Sequence, residues 1–233
     1  MPTSHETPLK ERWGGWYVTG TSGDQVHMGN AYARNAAEAA TLDFKKSSNR
    51  TDLTGLLDTS PYPSKYSDIV ALMVLEHQTH MHNFITRLNY AATMALKQYG
   101  HINYLKSAID AFMRYLLFTE ETSLTGTIEG TSDFAAWFID QGPKDKHGRS
   151  LREFDLRTRL FKYPCSYLIY SDAFDALPGP LKDRIYGRLV QILTGKDSSG
   201  DFDKLSPESR SAILQILAET KPDFRPFNKA SLN

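Results

Sequence analysis

Between Ile69 and Lys97 the chain contains neither glycine nor proline, and its apolar residues recur with helical spacing. Ser67-Asp68 precede this run and Gly100 follows it, which are a helix-capping pair and a helix stop. A helix this long must bury one face, so the rest of the fold has to be built around it. Shorter elements follow the same logic. An Ala-rich stretch from Asn35 to Lys46 predicts a short helix, and Ser47 to Pro63 reads as loop. Helices are expected over 102–118, over 132–140 with Ser132 as cap, over 164–176 and over 180–193. Ser206 and Pro207 open a last one that ends before Lys221-Pro222. Trp13 to Gly20 offers a short extended piece between glycines. The expected fold is therefore mainly α: a single-domain irregular helical bundle with an irregular N-terminal segment. Residues 1–66 would form a loop-rich segment packed on the helices, 67–222 the helical core and 223–233 a loose C-terminal tail.

Composition removes several classes of function. Lys+Arg and Asp+Glu are both 27, giving zero formal net charge, so the basic excess usual for nucleic-acid binders is missing and no nucleic-acid partner is expected. No stretch approaches the roughly 18 apolar residues of a membrane span. Met1 to His5 offers neither a charged nor an apolar signal region, which leaves localisation open. The single cysteine, Cys165, excludes an intrachain disulfide and a Cys-x-x-Cys-His haem attachment, and its apolar neighbours predict a buried, inert thiol. Twelve Tyr and twelve Phe predict an aromatic core with phenols at its edge; an aromatic-lined pocket for a flat cofactor is the alternative.

Chemistry-bearing residues concentrate on the long helix. Three of the seven histidines fall within Glu76-His77-Gln78-Thr79-His80-Met81-His82-Asn83. At about 100° per residue, Glu76, His80, Asn83 and Arg87 share one polar stripe. His77 instead projects from the apolar face of Val70, Phe84, Leu88 and Ala95, while His82 joins Gln78 and Asn89 on the side toward water. The histidines thus diverge, and at most His77 and His80 could share a metal, with a third ligand from elsewhere. The spacing is neither His-Glu-x-x-His nor the Glu-x-x-His of di-iron bundles, because Val74 stands where the second pattern needs a glutamate. A structural hydrogen-bonded stripe is the plainer reading. His27-Met28, between Gly23 and Gly29, pairs two side-chain types that serve as haem axial ligands, although an ordinary loop is the plainer reading. The loop 144–152 is polar and basic, suited to solvent or to an anion. No Gly-x-Ser-x-Gly, Walker or Gly-x-Gly-x-x-Gly motif is present.

Three stretches carry a resemblance: Arg12-Trp13-Gly14-Gly15-Trp16-Tyr17-Val18-Thr19-Gly20 with His27-Met28-Gly29-Asn30, then 74–83, then Arg159 to Ser171. Together they resemble the C-terminal part of large bacterial cytochrome c domain-containing proteins. Such proteins are typically exported and carry their Cys-x-x-Cys-His upstream of the Trp-Gly-Gly-Trp segment. This chain lacks that motif, so the resemblance implies a fragment or a relative without the haem-bearing half. It also implies a setting of haem and electron transfer, an upstream haem-bearing cytochrome segment or redox protein as partner, and a periplasmic or exported location. On that reading His77 or His80 ligates a metal, with Glu76 and Asn83 behind them. His27 and Met28 offer axial ligands, and Arg87 pairs with a haem propionate. The alternatives are a non-catalytic helical interaction module with a structural stripe, and a metal-dependent enzyme using His77, His80 and a distant carboxylate.

Overall fold

A computed structural model describes residues 3–230; Met1–Pro2 and residues 231–233, where the expected tail ends, lie outside it. The chain is mainly α, as the periodicity predicts. Nine α-helices occur among the described residues: α1 (Ala36–Ala39), α2 (Phe44–Ser47), α3 (Ile69–Tyr99), α4 (Lys106–Leu116), α5 (Phe134–Asp140), α6 (Asp172–Asp175), α7 (Gly179–Leu193), α8 (Pro207–Thr220) and α9 (Arg225–Ala230). Extended pairing among the described residues is limited to two isolated bridges, Thr19 with Asp68 and Thr21 with Glu129.

The residues gather into two compact units, each assembled from several chain segments. The first takes in Met1–His77, Glu121–Asp140 and Phe154–Leu160; the second takes in Gln78–Glu120, Gln141–Glu153 and Phe161–Asn233. The boundary falls inside α3.

In the first unit, irregular backbone is held by a few buried side chains. Asp68 is the main one. Its Oδ1 caps α3 by accepting from the Val70 N–H at 2.8 Å, while Oδ2 accepts from the Thr131 and Ser132 N–H groups and the Ser132 hydroxyl, at 2.8, 2.8 and 2.7 Å. The loop before α5 is thereby tied to the first turn of α3. Two glycines permit the close approach: a Cβ on Gly130 would stand 2.6 Å from the Asp68 carboxylate, and Gly20, at φ +144°, passes directly against Ile69. Thr19 and Ser67 also exchange bonds, with the Thr19 N–H donating to Ser67 O at 2.7 Å and the Ser67 N–H to Thr19 Oγ1 at 3.1 Å.

The second unit has an aromatic core. Phe84, Phe112, Phe174, Tyr186 and Phe224 form successive ring pairs with centroids 5.5 to 6.5 Å apart. Ile185 and Leu189 of α7 and Ile213, Ile216 and Leu217 of α8 are fully buried. Ser206 caps α8 through the Ser209 N–H at 3.1 Å, as its position before Pro207 predicts.

Three expectations need correction. The Ala-rich stretch forms two four-residue helices, because Asn35 and Asp43 each cap a helix of their own and the second cap interrupts the first helix. The expected helix over 164–176 is a 3-10 turn, Tyr167–Tyr170, followed by α6; Ser166 and Ser171 act as successive caps. The expected tail is folded over 222–230, where a 3-10 turn and α9 bury Phe224 completely and bring Phe227 within 5.4 Å of Tyr186. Helix α3 ends as expected, with Gly100 at φ +73° and its N–H on Leu96 O at 3.0 Å.

Candidate functional site

On α3, buried positions recur at Val70, Met73, Val74, His77, Met81, Ile85, Leu88, Ala92 and Ala95, so His77 occupies the buried face as its phase predicts. Its partner was not legible. His5, from the N-terminal segment, places Nδ1 2.9 Å from His77 Nδ1, and the rings stack with centroids 5.1 Å apart. Both imidazoles are buried, at 2% and 0% exposure. One ring must donate and the other accept across such a contact, so the two tautomers are complementary.

Arg12 lies in the same unit. Its guanidinium donates to Thr7 O at 2.8 Å, to His5 O at 3.1 Å and to Glu76 Oε2 at 3.3 Å. Burial pushes the Glu76 carboxyl up to about 7, against the pull of Arg12 and of the Trp13 indole N–H, which faces it without closing a hydrogen bond. Glu121 is similar. Burial pushes it up to about 7, against its bond from the Leu160 N–H at 2.8 Å and the nearby charges of Arg159 and Arg12. Its Oε2 has Arg159 Nε at 3.9 Å, too far for a hydrogen bond. The result is a buried group of His5, Arg12, Glu76 and His77 joined by hydrogen bonds, with Glu121 buried in the same unit.

The predicted stripe does not act as one network. Glu76 pairs with Arg12 and not with an imidazole. His80 is half-buried in the second unit, between Phe84 and Tyr115 with centroids at 5.1 and 4.7 Å, and burial lowers its pKa, helped by the charge of Arg87. Asn83 is exposed, and Arg87 lies over the Phe84 ring at 5.7 Å. The basic side chains of the loop are engaged: Arg149 pairs with Asp145 at 2.7 Å, Lys146 with Glu219 at 3.3 Å, and Arg152 stacks on Tyr167 at 4.6 Å.

His27 is 1% exposed and sits edge-on to Trp13, with centroids 5.2 Å apart. Its Nδ1 accepts from the Gly29 N–H at 3.0 Å, which assigns the proton to Nε2, and burial pushes its pKa down to about 4. Met28 lies against Gly14, its methyl 3.5 Å from where a Cβ would stand. A haem iron needs donor atoms facing one open position. Here His77 Nδ1 faces His5 Nδ1, and His27 Nδ1 accepts from the Gly29 N–H. Among the described residues, no group of three His, Cys, Asp or Glu side chains is placed to hold a metal.

The open chemistry lies elsewhere in the first unit. A cleft of about 350 Å³ is lined by Trp16, Tyr17, Leu53, Leu57, Tyr62 and Tyr66, with Gly15, Thr59, Ser64 and Ser67 completing it. None of these lining residues is charged, and Lys65 Nζ lies over the Tyr66 ring, 5.1 Å from its centroid. Trp16 is 55% exposed, Tyr62 58% and Tyr17 41%. The loop that builds it is fixed by short polar turns: Asp52 accepts from the Thr54 N–H at 2.7 Å, Asp58 from the Ser60 N–H at 3.0 Å and Ser64 from the Tyr66 N–H at 3.1 Å. Ser67 connects the cleft to α3 through Thr19 and Asp68. The sequence signal was present in the Trp-Gly-Gly-Trp-Tyr run and in the tyrosines flanking Pro61 and Pro63, but nothing in their spacing showed that they meet.

The second unit has a larger groove of about 600 Å³, bordered by Ile102, Lys106, Ile109, Pro180, Asp183 and Arg184. Lys106, Asp183 and Arg184 bring both signs of charge to it, and Lys106 is engaged with Asp110 at 2.6 Å.

No family model matches the chain, and neither do the curated proteins or the solved structures with which it was compared.

Proposed function

We propose that the chain is a non-catalytic binding module whose ligand enters the aromatic cleft of the first unit, with the histidine–carboxylate cluster serving as its internal scaffold. One observation carries this reading: four aromatic residues and two leucines line an uncharged cleft while large parts of Trp16, Tyr17 and Tyr62 remain in water. Aromatic surface left exposed in one patch, with polar groups interspersed, is the ordinary character of a small-ligand site. Ligand-observed NMR with p-cresol, a small neutral aromatic probe, tests it. Saturation transfer is expected for the wild type and is expected to disappear in a Trp16→Ala/Tyr62→Ala variant that unfolds at the wild-type temperature. Equal transfer in both proteins would contradict the reading.

A second reading keeps the histidine helix as part of a haem setting completed by an upstream cytochrome segment. It draws on the concentration of His77 and His80 on one helix, with Glu76 directly before His77. Titration with hemin decides between the two. A saturable Soret band abolished by His77→Ala supports the haem reading, and a spectrum identical in wild type and variant opposes it.

A further inference from the structure

We infer that the aromatic cleft takes an uncharged saccharide, a mono- or disaccharide or the end of a longer glycan, stacked on the rings of Trp16 and Tyr62. This rests on the cleft being the binding site and adds the class of its ligand.

Three features of the lining point to that class. The first is charge: no lining residue is ionic and Lys65 is already engaged over the Tyr66 ring at 5.1 Å, so a phosphate, carboxylate or ammonium entering the cleft would surrender hydration with no charged partner in its walls. The ligand is therefore neutral. The second is the pairing of exposed rings with hydroxyls. An aromatic face carries the negative side of its quadrupole, and the axial C–H bonds of a pyranose ring present a weakly positive, flat surface to it. Around the rings stand the hydroxyls of Thr59, Ser64 and Ser67 and the tyrosine phenols. Each of these groups both donates and accepts, as does each hydroxyl of a sugar. A flat hydrocarbon-like ligand would use the rings but desolvate the hydroxyls without return; a sugar uses both.

The third is size and access. About 350 Å³ lies at the small end of the roughly 300–1,000 Å³ typical of small-molecule sites, enough for a short saccharide. Trp16 and Tyr62 are each more than half exposed, so a longer glycan could continue into solvent from the same platform. Leu53 is almost fully buried and Gly55 adopts φ +80°, so the loop below the rings has its own apolar anchor and turn.

The test is titration calorimetry of the intact chain with cellobiose, maltose and N,N′-diacetylchitobiose, and with p-cresol in parallel. Wild type, Trp16→Ala, Trp16→Phe and Tyr62→Ala are compared after their thermal unfolding has been matched. The inference expects saturable binding of at least one disaccharide, weakened at least tenfold by Trp16→Ala and by Tyr62→Ala and partly restored by Trp16→Phe. If p-cresol binds in a Trp16-dependent way and none of the disaccharides does, the saccharide assignment falls and the cleft remains a site for another neutral ligand. If neither p-cresol nor any disaccharide binds, both fall. Disaccharide binding that neither alanine variant changes places the sugar elsewhere and overturns the inference.

Discussion

His5 and His77 meet through their Nδ1 atoms, 2.9 Å apart, although 72 positions separate them in the chain. The contact pins the N-terminal segment to the buried face of α3, and Thr122 reinforces it by donating its N–H to His5 O at 3.1 Å. Removing either ring leaves a buried polar atom facing a void. His77→Ala and His5→Ala are each expected to cost about 1–3 kcal/mol, and the double variant less than their sum, because each deletion already removes the shared bond. His77→Asn, whose amide nitrogen falls near the position of Nδ1, should recover part of the loss. Urea unfolding of the wild type and the four variants measures this. Additive costs would show that the contact contributes nothing to stability.

Asp68 holds both the start of α3 and the loop before α5. Asp68→Ala removes a helix cap and three bonds to Thr131 and Ser132 at once, for an expected loss of about 3 kcal/mol or more. Ser206→Ala, which removes a single exposed cap from α8, should cost only about 1 kcal/mol. Equal losses in the two variants would contradict the role given to Asp68.

The buried carboxyls and His27 oppose each other as pH changes. Glu76 and Glu121 hold their protons up to about 7 in the folded chain, above the ordinary 4.5, so the folded state binds more protons across that interval. Their contribution to stability therefore declines as pH rises from about 4.5 to about 7, and it is fully lost above that. His27 behaves in the opposite sense. Its folded pKa is pushed down to about 4 from 6.5, so its contribution is intact above 6.5 and is lost as pH falls toward 4. Glu121→Gln, which keeps an acceptor for the Leu160 N–H, should flatten the decline between 4.5 and 7. His27→Gln should flatten the loss on acidification. Unfolding midpoints from pH 4 to 8 check both; slopes parallel to wild type would refute the assignments.

Cys165 is fully buried, and burial pushes its thiol up to about 12. A disulfide reagent such as 5,5′-dithiobis(2-nitrobenzoate) should leave it untouched in the native chain and titrate one thiol per chain after unfolding in urea. Rapid labelling of the native protein would contradict that burial.

The sequence revealed what repeats and what caps. Helix α3, its Gly100 stop and the buried phase of His77 followed from periodicity, and α8 from Ser206-Pro207. It also placed Cys165 correctly among apolar neighbours. What it could not supply were partners distant along the chain. His5 looked like one residue of a featureless start, and Arg12 like part of a motif, until the fold set both against α3. The Glu76 stripe was geometrically sound, but a shared helix face does not imply a shared environment, and Arg12 took Glu76 while His80 went among aromatic rings. Short helices failed where Asn35, Asp43, Ser166 and Ser171 each offered the backbone a cap at close intervals. The cleft is built from loops whose composition is visible in sequence but whose closure depends on Asp68, Thr19 and Ser67.

The most direct test of the cleft is the behaviour of the three indole N–H signals in a ¹⁵N–¹H spectrum as p-cresol is added. Trp13 is buried beside His27, Trp137 lies on α5, and only Trp16 lines the cleft. The account predicts a saturable shift of the Trp16 signal with Trp13 and Trp137 stationary. A Trp16 signal that stays fixed while the others move, or that fails to saturate, would contradict it.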